Sequence, residues 1–176
     1  MQIHEINIYD LKNNTFISPI RCDTFAEAAA VCLHQLQHPQ GVTVKVEGAF
    51  SAQFELVWEQ ANTVQQNSFH DLDEATENGA YCLAIWVIEK LSPHHVVRKA
   101  PKGTGVDFWL YDKNNLQTMQ PTARLEVSGI LEGTKKQIQA RLRKKEKQSQ
   151  QSDDLGIPAY IIIVEFSTPL IKIKQR

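Results

Sequence analysis

The chain is poor in cysteine. It has three in 176 residues, Cys22, Cys32 and Cys82, an odd number without Cys-x-x-Cys spacing. That count argues against a disulfide framework and against a structural zinc site, and it points to a reducing, cytoplasmic setting. Cys32 and Cys82 sit in apolar stretches and read as buried thiols. No apolar run approaches the ~18 residues of a membrane span, so no membrane is expected. The start, Met1 to Asn7, has neither a basic cluster nor a greasy segment, and no signal peptide is expected there. Histidines are scattered. His94 and His95 are the only adjacent pair, and neighbours on a strand face opposite sides, which disfavours a histidine metal site. Net charge is nearly absent too, at -1.

What is present is ordinary globular usage: 42% hydrophobic and 22% charged residues. The near-zero charge hides a split. Residues 1–95 carry 4 Lys+Arg against 12 Asp+Glu, a net of -8. Residues 96–176 carry 15 against 8, a net of +7. Such asymmetry points to nucleic acid or another charged partner, or to a dipolar chain whose halves neutralise each other.

The patterning gives an α/β (α+β) chain in two parts. Residues 1–62 read as a small module of up to four strands and one helix. Ile6 and Ile8 alternate with polar neighbours, and Thr15 to Ile20 returns as a second strand after the turn Lys12 to Thr15. Asp23 or Thr24 caps a helix bearing Phe25, Ala29, Leu33 and Leu36. Val42 to Val46 and Phe54 to Trp58 alternate as strands. Residues 63–176 form the second part, entered through a polar connector. Asp71 with Glu74 starts a helix that runs to about Leu91 and is apolar nearly all round from Ala80 to Ile88. Short strands follow at 95–98, from Val106 to Tyr111 and around Leu125 to Val127, then a cationic helix from Glu132 to about Lys147. The run Ala159 to Phe166 reads as a strand covered on both faces.

Four features of the second part could carry chemistry. Lys102-Gly103-Thr104-Gly105 is a tight turn entering a strand; it lacks both the dinucleotide and the P-loop spacing. Asp107 and Glu126 are acids inside otherwise apolar strands. Strands disfavour Asp, and a buried carboxylate is costly unless paired or bound to a metal. Two close carboxylates suit a hard cation such as Mg²⁺; both facing solvent, or pairing with Arg98 or Arg124, is the plainer reading. Glu77 lies on the buried helix one turn before Tyr81. The helix after Glu126 carries seven cations, Lys135, Lys136, Arg141, Arg143, Lys144, Lys145 and Lys147, against Glu132 and Glu146. Lys136, Arg143 and Lys147 share a face, which with Lys102 makes a candidate phosphate-binding set.

Together these features resemble the PD-(D/E)XK nuclease superfamily, over roughly residues 70–170. The resemblance implies a restriction-endonuclease-like core of helix, three-stranded meander, helix and strand. It also implies an acid on the first helix, an Asp entering the second strand and an Asp/Glu-x-Lys on the third. The matching positions are Glu77, Asp107 and Glu126. Further implications are Mg²⁺ or Mn²⁺ held by Asp107 and Glu126, with Glu77 directly or through water, and hydrolysis of nucleic acid phosphodiesters, DNA first. The motif lysine falls on Ser128. Some relatives move that lysine to the following helix, where Lys135 or Lys136 would serve, and Lys135 is the expected catalytic one. Without such a lysine the chain would be an inactive accessory or protein-interaction subunit. The acidic N-terminal module would then be its contact with a protein partner.

Overall fold

A computed structural model describes residues 3–118 and 120–176. The chain folds as a mixed α/β structure around an eight-stranded sheet. In chain order the strands are β1 (Ile3–Asn7), β2 (Thr43–Gly48), β3 (Ala52–Val57), β4 (His94–Lys99), β5 (Phe108–Asp112), β6 (Ala123–Ile130), β7 (Ala159–Glu165) and β8 (Leu170–Gln175). Their order across the sheet is β1-β3-β2-β8-β7-β6-β5-β4. The helices are α1 (Pro19–Gln35), α2 (Thr63–Ser68), α3 (Leu72–Leu91) and α4 (Lys135–Ser149), with a 3₁₀ turn at Ile8–Asn13.

One strand, β8, accounts for the joining of N- and C-terminal segments. β8 pairs antiparallel with β7 and parallel with β2, so β1, β2 and β3 extend the sheet that holds Asp107 and Glu126. One hydrophobic cluster runs from Ile6 and Phe54 through α1 and α3 to Leu125 and Val164. The side chains of β7 divide by parity, as a pleated strand requires. Tyr160, Ile162 and Val164 join the α1/α3 side, while Ala159, Ile161 and Ile163 pack against Ile138 and Leu142 of α4. α4 therefore lies on the opposite face from α1 and α3, and all seven residues of β7 are buried.

Three local readings change. The stretch 15–20 is no strand: Ser18 is the N-cap of α1 and Pro19 its first residue. Proline suits that position because its missing N–H has no partner there anyway. The connector after Asn62 contains α2, closed by a capping box between Asn62 and Gln65. β8, whose Ile171 and Ile173 are buried in alternation, adds a strand beyond Phe166. At the other end of the sheet, the Val96 carbonyl on β4 accepts from the Thr15 hydroxyl at 2.9 Å and the Phe16 N–H at 3.3 Å.

Candidate functional site

Glu126 is the centre of the site. On β6, Leu125 and Val127 face the large core, so Glu126 and Ser128 point to the α4 side. The Glu126 side chain is 1% exposed. Its Oε1 accepts from Lys145 Nζ at 2.6 Å and from Gln148 Nε2 at 3.0 Å, both on α4. Its Oε2 is buried with no N–H or hydroxyl donor and faces the Asp107 carboxyl within hydrogen-bond reach. Burial, and next the charge of the adjoining Asp107 carboxyl, push the Glu126 acid up to about 8.

Asp107 comes from the loop entering β5. Its main chain is fixed by bonds from Asp107 N to Leu125 O (2.8 Å) and from Ala100 N to Asp107 O (2.8 Å). The carboxylate Oδ2 accepts from Val127 N at 2.9 Å. Oδ1 accepts from the Tyr81 hydroxyl at 2.8 Å and from Lys99 Nζ at 3.1 Å. Glu77 enters through the same phenol: Tyr81 Oη lies 3.1 Å from Glu77 Oε1. Burial, then the two nearby acids, raise the Tyr81 phenol well above its ordinary value, so it stays a donor. Lys99 Nζ also sits over the Tyr81 and Phe108 rings, at 4.3 and 4.5 Å. A register shift between Val96 and Arg98 sets the aim of Lys99. The bulge turns Lys99 to the same side as Val96, toward α3, where an unbroken pleat would send it away.

Two glycines bring these elements together. Gly105 has φ +71°, and a Cβ there would lie 2.1 Å from the Gln148 carbonyl of α4. The two-glycine turn is thus where the loop before Asp107 packs on the helix that carries Gln148 and Lys145. At Gly129 a Cβ would lie 2.3 Å from the Thr76 carbonyl. That close contact lets the first turns of α3, with Glu77, approach the end of β6.

The result is a groove of about 590 Å³ between α3, β6 and α4, lined among others by Glu77, Tyr81, Asp107, Arg141, Lys144 and Lys145. Arg141 Nη1 donates to Ser128 Oγ at 2.9 Å. A cation of α4 therefore contacts the Ser128 side chain. α4 rests on Ile138 and Leu142, and at 3.6 residues per turn Arg141, Lys145 and Gln148 flank that buried stripe. Lys136, Arg143 and Lys147 lie on the exposed side opposite the stripe. Lys147 borders a recess that continues the groove with Lys144 and Gln148. Lys135 is exposed in the first turn of α4 and does not line the groove; the lysine that touches Glu126 is Lys145. Lys102 is exposed on the glycine turn. Sequence reasoning missed Lys145, Arg141, Tyr81 and Lys99. The available signal was the 141/145/148 spacing next to the apolar pair Ile138 and Leu142.

Among the described residues no group of three or more His, Cys, Asp and Glu side chains is arranged to hold a metal ion, and no helix is long and apolar enough to cross a membrane. No family model matches the chain, and no curated protein matches it in sequence.

Proposed function

We propose that the chain is a metal-dependent phosphodiesterase of the PD-(D/E)XK nuclease type, acting on nucleic acid, DNA first. The observation that carries this reading is the buried Glu126 carboxyl. It has one oxygen without a donor and lies against Asp107 beneath a groove edged by Arg141, Lys144 and Lys145. Glu126 is buried at 1% exposure beside a second acid, Asp107, at 18%, and setting a buried acid against another carboxyl costs stability. The order α3, β4, β5, β6, α4, β7 is the order the resemblance implies for a restriction-endonuclease-like core, and it supports the same reading.

Asp107 and Glu126 would hold Mg²⁺ or Mn²⁺. One or two carboxylates with retained water and substrate oxygens suffice for such an ion, and Glu126 Oε2, which has no donor and adjoins the Asp107 carboxyl, fits that use. Bound there, the ion supplies a Lewis acid and an activated water. The chain's own residues do the rest. Tyr81 and Lys99 hold Asp107 in place, and Glu77 acts through the Tyr81 hydroxyl. Lys145 takes the part that the resemblance gives to the missing lysine: a positive charge that orients water and stabilises charge developing on the phosphate. Arg141 and Lys144 meet the phosphate backbone.

One observation favours a second reading, a protein that binds nucleic acid without cutting it. Both carboxylates already have ammonium partners, Lys99 at 3.1 Å and Lys145 at 2.6 Å. A single set of assays separates the readings. Single- and double-stranded DNA and RNA are incubated with Mg²⁺ or Mn²⁺ and the wild-type or Asp107→Ala chain, and binding is titrated against salt. Metal-dependent cleavage lost in Asp107→Ala supports the nuclease. Salt-dependent binding without cleavage supports the second reading. Neither cleavage nor binding at any salt overturns both.

A further inference from the structure

The opposite end of α3 holds a second cluster that the carboxylate groove does not use. Glu89, in the last turn of α3, has a side chain only 3% exposed. Both of its oxygens are committed: Oε1 accepts from Val96 N at 2.8 Å and Oε2 from His95 Nδ1 at 2.7 Å. This carboxylate orients the imidazole and leaves Nε2 as the outward nitrogen. Lys113 Nζ donates to the carbonyls of Glu89 (2.6 Å) and Ser92 (2.8 Å), placing a cation at the negative end of the helix. His95 and Lys113 line an open cavity of about 520 Å³ with Asn13, Phe16 and Lys90.

Two properties of this cavity define what it would take. The first is its charge. Among the described lining residues the one acid, Glu89, is outnumbered by two ammonium groups, Lys90 and Lys113, and its oxygens are held by Val96 N and His95 Nδ1. An anion gains there and a cation does not. The second is Phe16, which is 55% exposed and meets the His95 ring edge-on at 5.0 Å. A large aromatic left in water beside a cationic cavity offers a stacking surface for a planar ring. Asn13 adds a side-chain amide that can donate or accept. An anionic group and a planar ring carried on one small molecule describe a nucleotide.

We propose that the Phe16–Lys90–His95 cavity is a binding site for a nucleoside monophosphate. The phosphate lies at His95 Nε2, with Lys90 on the cavity wall, and the base lies on Phe16. The site is independent of the chemistry proposed for Asp107 and Glu126 and stands whether or not that groove cuts nucleic acid.

The test titrates AMP, inorganic phosphate and adenosine separately into the full-length chain, read by calorimetry and by the NMR signals of the His95 ring. AMP is expected to bind saturably, with the His95 signals shifting, and roughly tenfold or more tighter than phosphate or adenosine alone. Phe16→Ala is expected to bring AMP down to the affinity of phosphate, and Lys90→Ala to weaken both by roughly tenfold. Phe16 and Lys90 are exposed; Lys90 Nζ also lies 5.2 Å over the Trp86 ring, so Lys90→Met, which keeps the stem on that ring, is measured beside Lys90→Ala and is expected to weaken binding equally. Glu126→Gln is expected to leave AMP binding unchanged. The proposal is overturned if AMP does not saturate, if phosphate binds as well as AMP, or if the Phe16 and Lys90 variants bind AMP like wild type.

Discussion

Lys145 Nζ lies 2.6 Å from Glu126 Oε1, joining the middle of β6 to α4 across 19 residues of sequence. This hydrogen bond is sheltered, with Lys145 20% and Glu126 1% exposed, and removing one partner strands the other. Lys145→Met is expected to cost about 1–3 kcal/mol of stability, as an orphaned buried polar group does. If the groove cuts nucleic acid, the same change is expected to lower its rate by about 100-fold or more. Lys135→Met is expected to change neither quantity. Urea denaturation and a cleavage time course on both variants check this pair of outcomes.

Glu126 also gives a pH signature of the metal-free fold. Its acid is raised from an ordinary 4.5 to about 8. Between those values the folded chain holds a proton that the unfolded chain releases, so stability falls as pH rises. The contribution is full below about 4.5 and lost by the time pH passes about 8. In Glu126→Gln no proton is held, and the decline across this window is expected to flatten. Urea midpoints taken from pH 5 to 9 with chelator present measure it; identical slopes in both proteins would refute it.

Tyr81 bridges Asp107 and Glu77 by a single hydroxyl. Tyr81→Phe keeps the ring contacts with Phe25 and Phe108 and removes the bridge. The expected cost is about 1.5–3 kcal/mol, the range for hydrogen bonds to charged groups; if the groove cuts nucleic acid as proposed, cleavage is expected to fall and nucleic acid binding to be retained. A variant equal to wild type in both melting and cleavage would leave the bridge without a role.

Gly129 is expected to tolerate no side chain. Its Cβ would meet the Thr76 carbonyl at 2.3 Å, and neither β6 nor α3 can shift without disturbing the core. Gly129→Ala is expected to destabilise by about 1–3 kcal/mol, as overpacking does. Gly103→Ala meets nothing within 4 Å and bears only its positive φ; its cost is expected to stay near 1 kcal/mol. Thermal melts of the two variants compare close approach with conformation alone.

The sequence made Asp107 and Glu126 conspicuous because a strand rich in apolar residues has no cheap use for an acid. It made α3 and β7 readable because α3 from Ala80 to Ile88 and β7 along nearly its whole length are apolar on every side, and the α/β class followed from the alternation of such segments. The lysine was harder to read. Which cations of α4 meet Glu126 depends on the side of the helix that rests on β7, and seven cations over four turns conceal that choice. Lys99 was hidden for another reason. Its direction is set by a bulge between Val96 and Arg98, and a bulge breaks the period from which directions are read. Glu77 reaches Asp107 only through Tyr81, a relay that no spacing of acids displays. At the N-terminus, the apparent strand at 15–20 gave way to a helix start because Ser18-Pro19 outranks two isolated isoleucines.

The segment Thr15–Phe16, which satisfies the Val96 carbonyl, also decides how copies of this molecule could meet. An outer strand with free carbonyls invites a neighbour to add its own strand. Here Thr15–Phe16 covers the β4 margin at Val96, and among the described residues the other outer strand is β1, at the far end of the sheet order. Pairing through β1 would put five strands of each subunit between the joint and β6, so two molecules so joined would carry two unobstructed grooves, far apart and independent.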